Sequence, residues 1–280
     1  MRQPALFFGH GSPMNALGGP FADAWRALGE EIGKPKGVVM VSAHWETRGL
    51  GVTAQKQPET IHDFGGFPPE LHAMQYPAPG SPSLANRVAE LTGAVQTTQW
   101  GLDHGTWSVL AHVWPDADVP VVQLSLDRTI DARAHYELAK RLRPLREEGV
   151  IVAGSGDFVH NLRTWKRAGG EPYDWAVDFN EAVKRAFTAG DHDALIDWVH
   201  LAELLAAALA VAQGIGCGLV KAQRRRRRRV LLAGQFDHCR RDGDGDEHDS
   251  AEAGQHLAVH GNAPSGGYLP VLNIWALPGW

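Results

Sequence analysis

Cysteine is nearly absent from this chain of 280 residues. Its two cysteines, Cys217 and Cys239, cannot form a disulfide framework, so a reducing compartment is the simpler interpretation. Long apolar runs are absent as well, because none reaches the roughly 20 residues that a membrane helix needs. The first residues lack the apolar stretch of a secretory signal. We therefore predict a cytoplasmic protein without a membrane partner.

An excess of charge of one sign is also lacking. The chain has 27 Lys and Arg residues against 32 Asp and Glu residues, a formal net charge of -5, so it does not attract nucleic acid as a whole. Six consecutive arginines at 224–229 are the exception. A nucleic-acid patch would use such a run. Since nothing else in the chain supports that role, we predict no nucleic-acid partner, and no pattern indicates an oligomeric state.

Apolar strands alternate with amphipathic helices over the first 200 residues. This alternation predicts one α/β domain over residues 1–200, with a central, mostly parallel or mixed sheet flanked by helices. The predicted strands are 4–8, 37–44, 50–53, 119–126 and 149–155, and the predicted helices are 21–32, 83–91, 132–148, 174–188 and 191–199. A loop rich in Gly and Pro is predicted over residues 57–82.

Histidine is abundant, with 14 residues, and three histidines follow buried-type strands. These are His10, His44 and His160. In open α/β sheets the carboxyl ends of the strands line the crevice where ligands bind, so side chains that are distant in sequence can converge there. Neutral imidazole is a good ligand for divalent first-row metals. One such residue alone would more often be a loop histidine bonded to backbone; three together favour a metal site.

A fourth histidine, His104, lies between Gly101 and Gly105 in a segment with aromatic neighbours. We predict a loop here, in which His104 approaches a substrate as a general acid or base. Asp103 could orient a neighbouring imidazole. A packed turn histidine is the alternative that the spacing leaves open.

Two further segments bear on chemistry. The segment 62–68, His-Asp-Phe-Gly-Gly-Phe-Pro, is a Gly and aromatic loop that could line a pocket for a planar ring. The segment 9–12, Gly-His-Gly-Ser, superficially resembles a hydrolase nucleophile turn, but it lacks the Gly-x-Ser-x-Gly spacing. A metal-assisted or Ser12-dependent hydrolase is therefore an open alternative.

A series of motifs in order over about 160 residues resembles the LigB-type extradiol ring-cleaving dioxygenases, and in particular their DOPA 4,5-dioxygenase-like branch. The motifs are Gly-His-Gly-Ser-Pro-Met-Asn at 9–15, Val-Ser-Ala-His-Trp at 41–45, the 62–68 loop, Tyr-Pro-Ala-Pro-Gly at 76–80, Gly-Leu-Asp-His-Gly at 101–105 and Val-His-Asn-Leu-Arg at 159–163.

The resemblance implies a non-haem metal enzyme with one Fe²⁺ or Zn²⁺ per chain and no organic cofactor. His10 and His44 match metal ligands of the family, and His160 matches a histidine that is a ligand or an acid–base group beside the metal. His104 matches another active-site histidine, which we expect to be catalytic. The implied substrates are a DOPA-like catechol and O2. We expect His62, Phe64 and Trp107 to contact the aromatic ring.

The region 201–280 departs from the family pattern. A family motif of the form Pro-Thr-Pro-x-His-Tyr-Leu-Pro has its nearest match at 264–270, where Gly267 stands in place of the ligand histidine. Two interpretations stay open. The region is a divergent tail in which His256, His260 or Glu252 replaces the ligand, or it is an out-of-frame translation of GC-rich DNA, for which Arg and Ala runs are typical. We expect partial disorder from about 205 to 263 and no final strands of the sheet. The alternative function is that of a degenerate relative that binds metal but has no catalytic activity.

Overall fold

A computed structural model of the protein describes residues 2–160 and 171–198 and the strand at 274–276. In this part of the chain seven strands form one sheet, in the order β4-β3-β5-β2-β6-β1-β7. The strands are β1 Ala5–Phe8, β2 Gly37–Thr47, β3 Gly51–Thr53, β4 Val95–Thr97, β5 Val121–Asp127, β6 Val150–Ser155 and β7 Ile274–Ala276.

The centre of the sheet is parallel and its edges make it mixed. Strands β5, β2, β6 and β1 are parallel to one another. β3 is antiparallel to β5, β4 is parallel to β3, and β7 is antiparallel to β1. Since parallel strands end on the same side, the segments after β1, β2 and β6 emerge together. The predicted α/β class with a mostly parallel or mixed sheet is confirmed.

Eight α-helices are described, together with a 3-10 turn at Pro13–Leu17. The predicted helix over 132–148 is interrupted: Lys140 ends the first part, and the second begins at Arg143 with Pro144 in its first turn. Proline lacks the N–H that a continuous helix would use, and it is tolerated at a new start. The helices are α1 Pro20–Ile32, α2 Pro69–Ala73, α3 Pro82–Thr92, α4 His104–Val113, α5 Ala132–Lys140, α6 Arg143–Glu147, α7 Asp174–Ala189 and α8 His192–Ile196.

Strand β2 is buried on both faces and divides the core into two layers. Val38 and Met40 pack with Trp25 of α1 and Leu110 of α4 on one face. Val39, between them, packs on the other face in a cluster with residues of α3 and α6. Successive side chains of a strand point to opposite faces, so a continuous apolar run marks a strand that is covered on both sides.

Further elements differ from the sequence-based prediction. The helix α2 at Pro69–Ala73 lies inside the loop that was predicted over residues 57–82. The segment after Asp103 is the helix α4 and not a loop. Strand β4 was not predicted, because it is three residues long and Val95 is 71% exposed, without the alternation of a half-buried strand. Strand β7 pairs with β1, whereas no final strand was expected.

Most of the predictions for 201–280, including the expected disorder and the role of Gly267, lie outside the described residues. The proposed boundary near residue 200 lies there too, and it stays a prediction. Among the residues that are described, none belongs to a helix long and apolar enough to cross a membrane.

Candidate metal centre

The first side of the centre is built where β1 and β6 end. Phe8 and Ser155 are register partners at these ends, and His10 follows two residues after Phe8. His10 is 2% exposed, and its Nδ1 lies 2.7 Å from Ser155 Oγ. The side-chain amide of Asn15 donates to the His10 carbonyl at 3.0 Å. His10 is therefore held through both its ring and its backbone.

His44 reaches the centre through an irregularity in β2. The pairing of β2 with β5 shifts register between Val41 and Glu46, and the pairing with β6 ends at Ser42. A bulge of this kind bends a strand and re-aims its side chains, and bulges are frequent beside active sites. His44 lies inside this irregular stretch, and its Nε2 is 3.1 Å from Nε2 of His10.

His104 is the first residue of α4, so the predicted loop at this position is wrong. Asp103 is the N-cap, and its carboxylate accepts a hydrogen bond from the Thr106 N–H at 3.2 Å. Asp103 is fully buried, and Gln123 of β5 donates to it through its side chain and accepts from its N–H. Asp103 therefore fixes the start of the helix, whereas the sequence suggested that it orients an imidazole.

The start of α4 lies tightly against β2. A Cβ atom placed on Gly105 would lie 2.6 Å from Ser42 Oγ and 2.9 Å from Cδ2 of the His44 ring. Only glycine fits this approach without a shift of its neighbours. The close approach brings the ring of His104 to 3.9 Å from that of His44, measured between centroids.

Three imidazoles thus converge from β1, β2 and α4. One ring nitrogen each of His10, His44 and His104 lies within 4.8 Å of the others, as expected for a group able to hold one metal ion. His160, which the sequence assigns to the metal, is exposed and does not belong to this group. It is nevertheless close enough to lower the pKa of both His10 and His44, after the larger effect of burial on each.

The environment keeps two of these rings neutral. Burial and the neighbouring His44 and His104 hold the pKa of His10 well below its usual value. Burial and His104 lower the pKa of His44 to about 4. Because a metal binds the unprotonated nitrogen, these shifts leave both residues ready to coordinate at neutral pH.

Asp63 is the residue that the sequence interpretation missed. Its Oδ1 accepts hydrogen bonds from His104 Nδ1 at 2.8 Å and from the His104 N–H at 2.9 Å. Its Oδ2 lies 3.7 Å from His44 Nδ1. Burial alone would raise the pKa of Asp63, but the hydrogen bonds from His104 outweigh burial and lower it. The two residues are 41 positions apart, so no local pattern could pair them.

The three residues that we expected to contact the aromatic ring lie in different positions. Phe64 lies beside the centre, with its ring 5.5 Å from that of His104. His62 Nε2 is 2.9 Å from the Met74 carbonyl, which ties the loop to the end of α2. Trp107 has no exposed surface, and its indole donates to the Ile61 carbonyl at 2.8 Å. Trp107 therefore supports the loop from behind.

Ser12, the candidate hydrolase nucleophile, has a structural contact. It is the N-cap of the 3-10 turn, and its Oγ accepts a hydrogen bond from the Met14 N–H at 3.3 Å. This contact accounts for the serine without a catalytic role.

The donor set suits a divalent first-row metal. Two nitrogens that bind one ion at about 2.0–2.1 Å lie roughly 3 Å apart, close to the separation of the His10 and His44 Nε2 atoms. Metal-ligating histidines typically donate their other N–H to a carboxylate or another acceptor. Here Ser155 faces Nδ1 of His10, and Asp63 faces Nδ1 of His104. The residues present therefore fit a metal ion.

A family model described as the catalytic LigB subunit of aromatic ring-opening dioxygenase matches residues 9–212. The chain belongs to this family. The LigB family is one of dioxygenases, so the chain is an enzyme of the oxidoreductase class.

Similar proteins place the chain in the DOPA-dioxygenase-like branch of the LigB family. It is 52% identical over 193 residues to the 4,5-DOPA dioxygenase extradiol of Escherichia coli K12, which covers 67% of this chain and 71% of the relative. It is 38% identical over 201 residues to the protein of that name from Beta vulgaris, covering 67% and 74%. A crystal structure of an uncharacterised Escherichia coli K12 protein superposes with a TM-score of 0.60 at 43% identity, covering 71% of this chain and 80% of that one.

Proposed function

We propose that this chain is an extradiol dioxygenase that cleaves the ring of a DOPA-like catechol with O2, using one Fe²⁺ or Zn²⁺ held by His10, His44 and His104. The observation that carries the proposal is the convergence of these three imidazoles in a member of the LigB family. Relatives named 4,5-DOPA dioxygenase extradiol support the substrate class. Both oxygen atoms of O2 enter the ring-opened product, so the reaction needs no further reductant.

When bound, the ion would hold the catechol oxygens and O2 side by side, which replaces a collision of three bodies by one prepared complex. The protein supplies the arrangement. His10 and His44 present unprotonated nitrogens because burial lowers their pKa values. Phe64 offers an aromatic surface beside His104 on which a planar ring can stack.

His160 is the acid–base group in this proposal. It is exposed, yet close enough to the cluster to affect the pKa of His10 and His44. From there its imidazole can take the proton of a catechol hydroxyl and return it to an oxygen of the product. The sequence interpretation assigned His104 to catalysis and His160 to both metal binding and catalysis; the proposal moves His104 to the metal and keeps His160 for proton transfer.

Two variants test this division of roles. We expect His104→Gln to lose most of its bound metal, and His160→Gln to keep the metal while turnover falls by about 10²–10⁴-fold, the usual contribution of a general acid–base group. Metal content is measured on purified protein, and O2 consumption is followed with DOPA, protocatechuate and catechol after anaerobic Fe²⁺ loading. Turnover without O2 would contradict the proposal and favour the metal-assisted hydrolase.

A degenerate, metal-binding relative without catalysis is the second candidate. The observation in its favour is Gly267, which occupies the place of a ligand histidine in the family motif. It predicts a wild-type chain with bound Zn²⁺ and no O2 uptake with any of the three catechols. The same oxygen measurement therefore separates the two candidates.

A further inference from the structure

We propose that Asp63 is the positioning residue of the metal centre, with one carboxylate orienting the rings of both His44 and His104. The inference rests on the proposed metal site. It adds a group that touches no metal and reaches the ion only through the two histidines.

The carboxylate lies between the outward nitrogens of the two rings. Oδ1 is 2.8 Å from Nδ1 of His104, and Oδ2 is 3.7 Å from Nδ1 of His44. The Asp63 side chain is 17% exposed, and those of His104 and His44 are 7% and 23% exposed, so water only partly screens the interactions among the three groups. An anionic acceptor at Nδ1 places the ring proton there and leaves Nε2 unprotonated for the metal.

The backbone hydrogen bond gives Asp63 a second hold on the same residue. Its Oδ1 also accepts from the His104 N–H at the first turn of α4. The N-terminus of a helix carries partial positive charge, which favours a carboxylate at this position. A single oxygen, Oδ1 of Asp63, thus holds both the ring and the backbone of His104. Because the backbone bond keeps this oxygen in place, rotation of the ring would break the bond between Nδ1 and Oδ1.

The loop that carries Asp63 is itself attached to the segment before α4. Thr60 forms a parallel β-bridge with Leu102, and Leu102 exchanges backbone hydrogen bonds with Glu59 and Ile61 at 2.8 and 2.7 Å. The Trp107 indole adds a bond to the Ile61 carbonyl. These bonds end two residues before Asp63 on one segment and two residues before His104 on the other. They pre-organise the contact, which is what a supporting residue of a metal site requires.

The same loop carries Phe64, the aromatic surface that faces the centre. An aromatic substrate ring that stacks on Phe64 is therefore in contact with the residue next to Asp63, which orients two metal ligands. Asp63 thereby links the position of Phe64, on which the substrate would stack, to the orientation of the His44 and His104 rings.

The change that tests the inference is Asp63→Asn. Asparagine keeps an oxygen that can accept from His104, but its neutral amide NH2 then faces His44 Nδ1, so the negative charge that favours a proton on that nitrogen is lost. We expect Co²⁺ binding, measured by competition with a chelator in the full chain, to weaken by about 10–100-fold. Nitrogen-15 NMR of the metal-free protein should show loss of the Nδ1–H tautomer at His44 or His104. Asp63→Glu keeps the carboxylate and should recover part of the affinity.

Asp116→Asn is the matched control, because Asp116 is exposed and pairs with Lys34 at the surface. It should leave Co²⁺ affinity and the tautomers unchanged. Wild-type affinity and tautomers in Asp63→Asn, with metal-free thermal unfolding like that of the control, would overturn the inference. If the wild type itself binds no Co²⁺, the proposed metal site fails, while the tautomer at His104 still reports directly on Asp63.

Discussion

The two halves of the metal centre are supported in different ways. His10 is held by neutral groups on regular secondary structure, the Ser155 hydroxyl at the end of β6 and the Asn15 amide. His44 and His104 share an anionic partner, Asp63, which comes from a loop. A hydrogen bond to a charged acceptor is roughly twice as strong as a neutral one. We call His10 with Ser155 the hydroxyl half, and His44 and His104 with Asp63 the carboxylate half. The position of the hydroxyl half therefore depends on the sheet, whereas that of the carboxylate half depends on the attachment of one loop.

The largest effect is expected from Gly101→Ala, which alters the carboxylate half by displacing the loop that carries Asp63. A Cβ atom at Gly101 would lie 2.2 Å from the Glu59 carbonyl, so the loop must move away from Leu102 and carry Asp63 with it. We expect a loss of about 1–3 kcal/mol in the free energy of unfolding. Co²⁺ affinity should fall by at least ten-fold; denaturant titration and chelator competition measure the two effects.

Gly65→Ala is the control for this change. Gly65 lies in the same loop, and a Cβ atom there would meet nothing within 4 Å. Its stability and affinity should match the wild type. Equal losses in the two variants would show that any alanine in the loop is harmful and that the contact with Glu59 has no special role.

A smaller effect is expected from Ser155→Ala in the hydroxyl half. The change leaves Nδ1 of the buried His10 without its partner, which costs about 1 kcal/mol in the free energy of unfolding. Co²⁺ affinity should fall by about ten-fold, because the ring loses its orienting bond. Ser83→Ala, at an exposed serine of α3, is the control. If Ser155→Ala weakens Co²⁺ binding more than Asp63→Asn does, the prediction that the carboxylate half contributes more to metal affinity is wrong.

The smallest effect concerns His112, which supports the hydroxyl half indirectly. Its Nε2 is 3.0 Å from the Asn15 carbonyl, and burial lowers its pKa below 6.5. The unfolded chain therefore binds a proton more readily than the folded one, so stability falls as the pH drops through 6.5 toward the lower pKa of the folded state. Urea unfolding of the metal-free protein at several pH values should show a shallower decline for His112→Gln than for the wild type. An identical decline would exclude this contribution.

The main strands of the fold were predictable because their signals are local. The continuous apolar runs of β2 and β6 indicate strands that are covered on both faces, and they are found as expected. The helix α4 was not predicted, since Gly105 and the aromatic residues around it obscure its pattern. A signal was available: aspartate is a favoured N-cap residue, and in the structure the Asp103 carboxylate accepts a hydrogen bond from the Thr106 N–H.

The centre was predictable only in part. In the sequence, His10 and His44 stand at the ends of predicted strands, and strand ends converge in this class of sheet. The position of Asp63 depends on a β-bridge between Thr60 and Leu102. These two residues are far apart in the chain, and a single bridge between them leaves no periodic pattern in the sequence. The irregularity that aims His44 depends on the register of β5, which the sequence of β2 alone does not reveal.

Gly105 sets a limit on how such an enzyme could be re-engineered. With no space for a methyl group between α4 and the ring of His44, the position next to His104 cannot be used to adjust the centre. A designer who wishes to alter metal preference or substrate range is therefore directed to the opposite side, where a Cβ atom on Gly65, beside Phe64, would meet nothing within 4 Å.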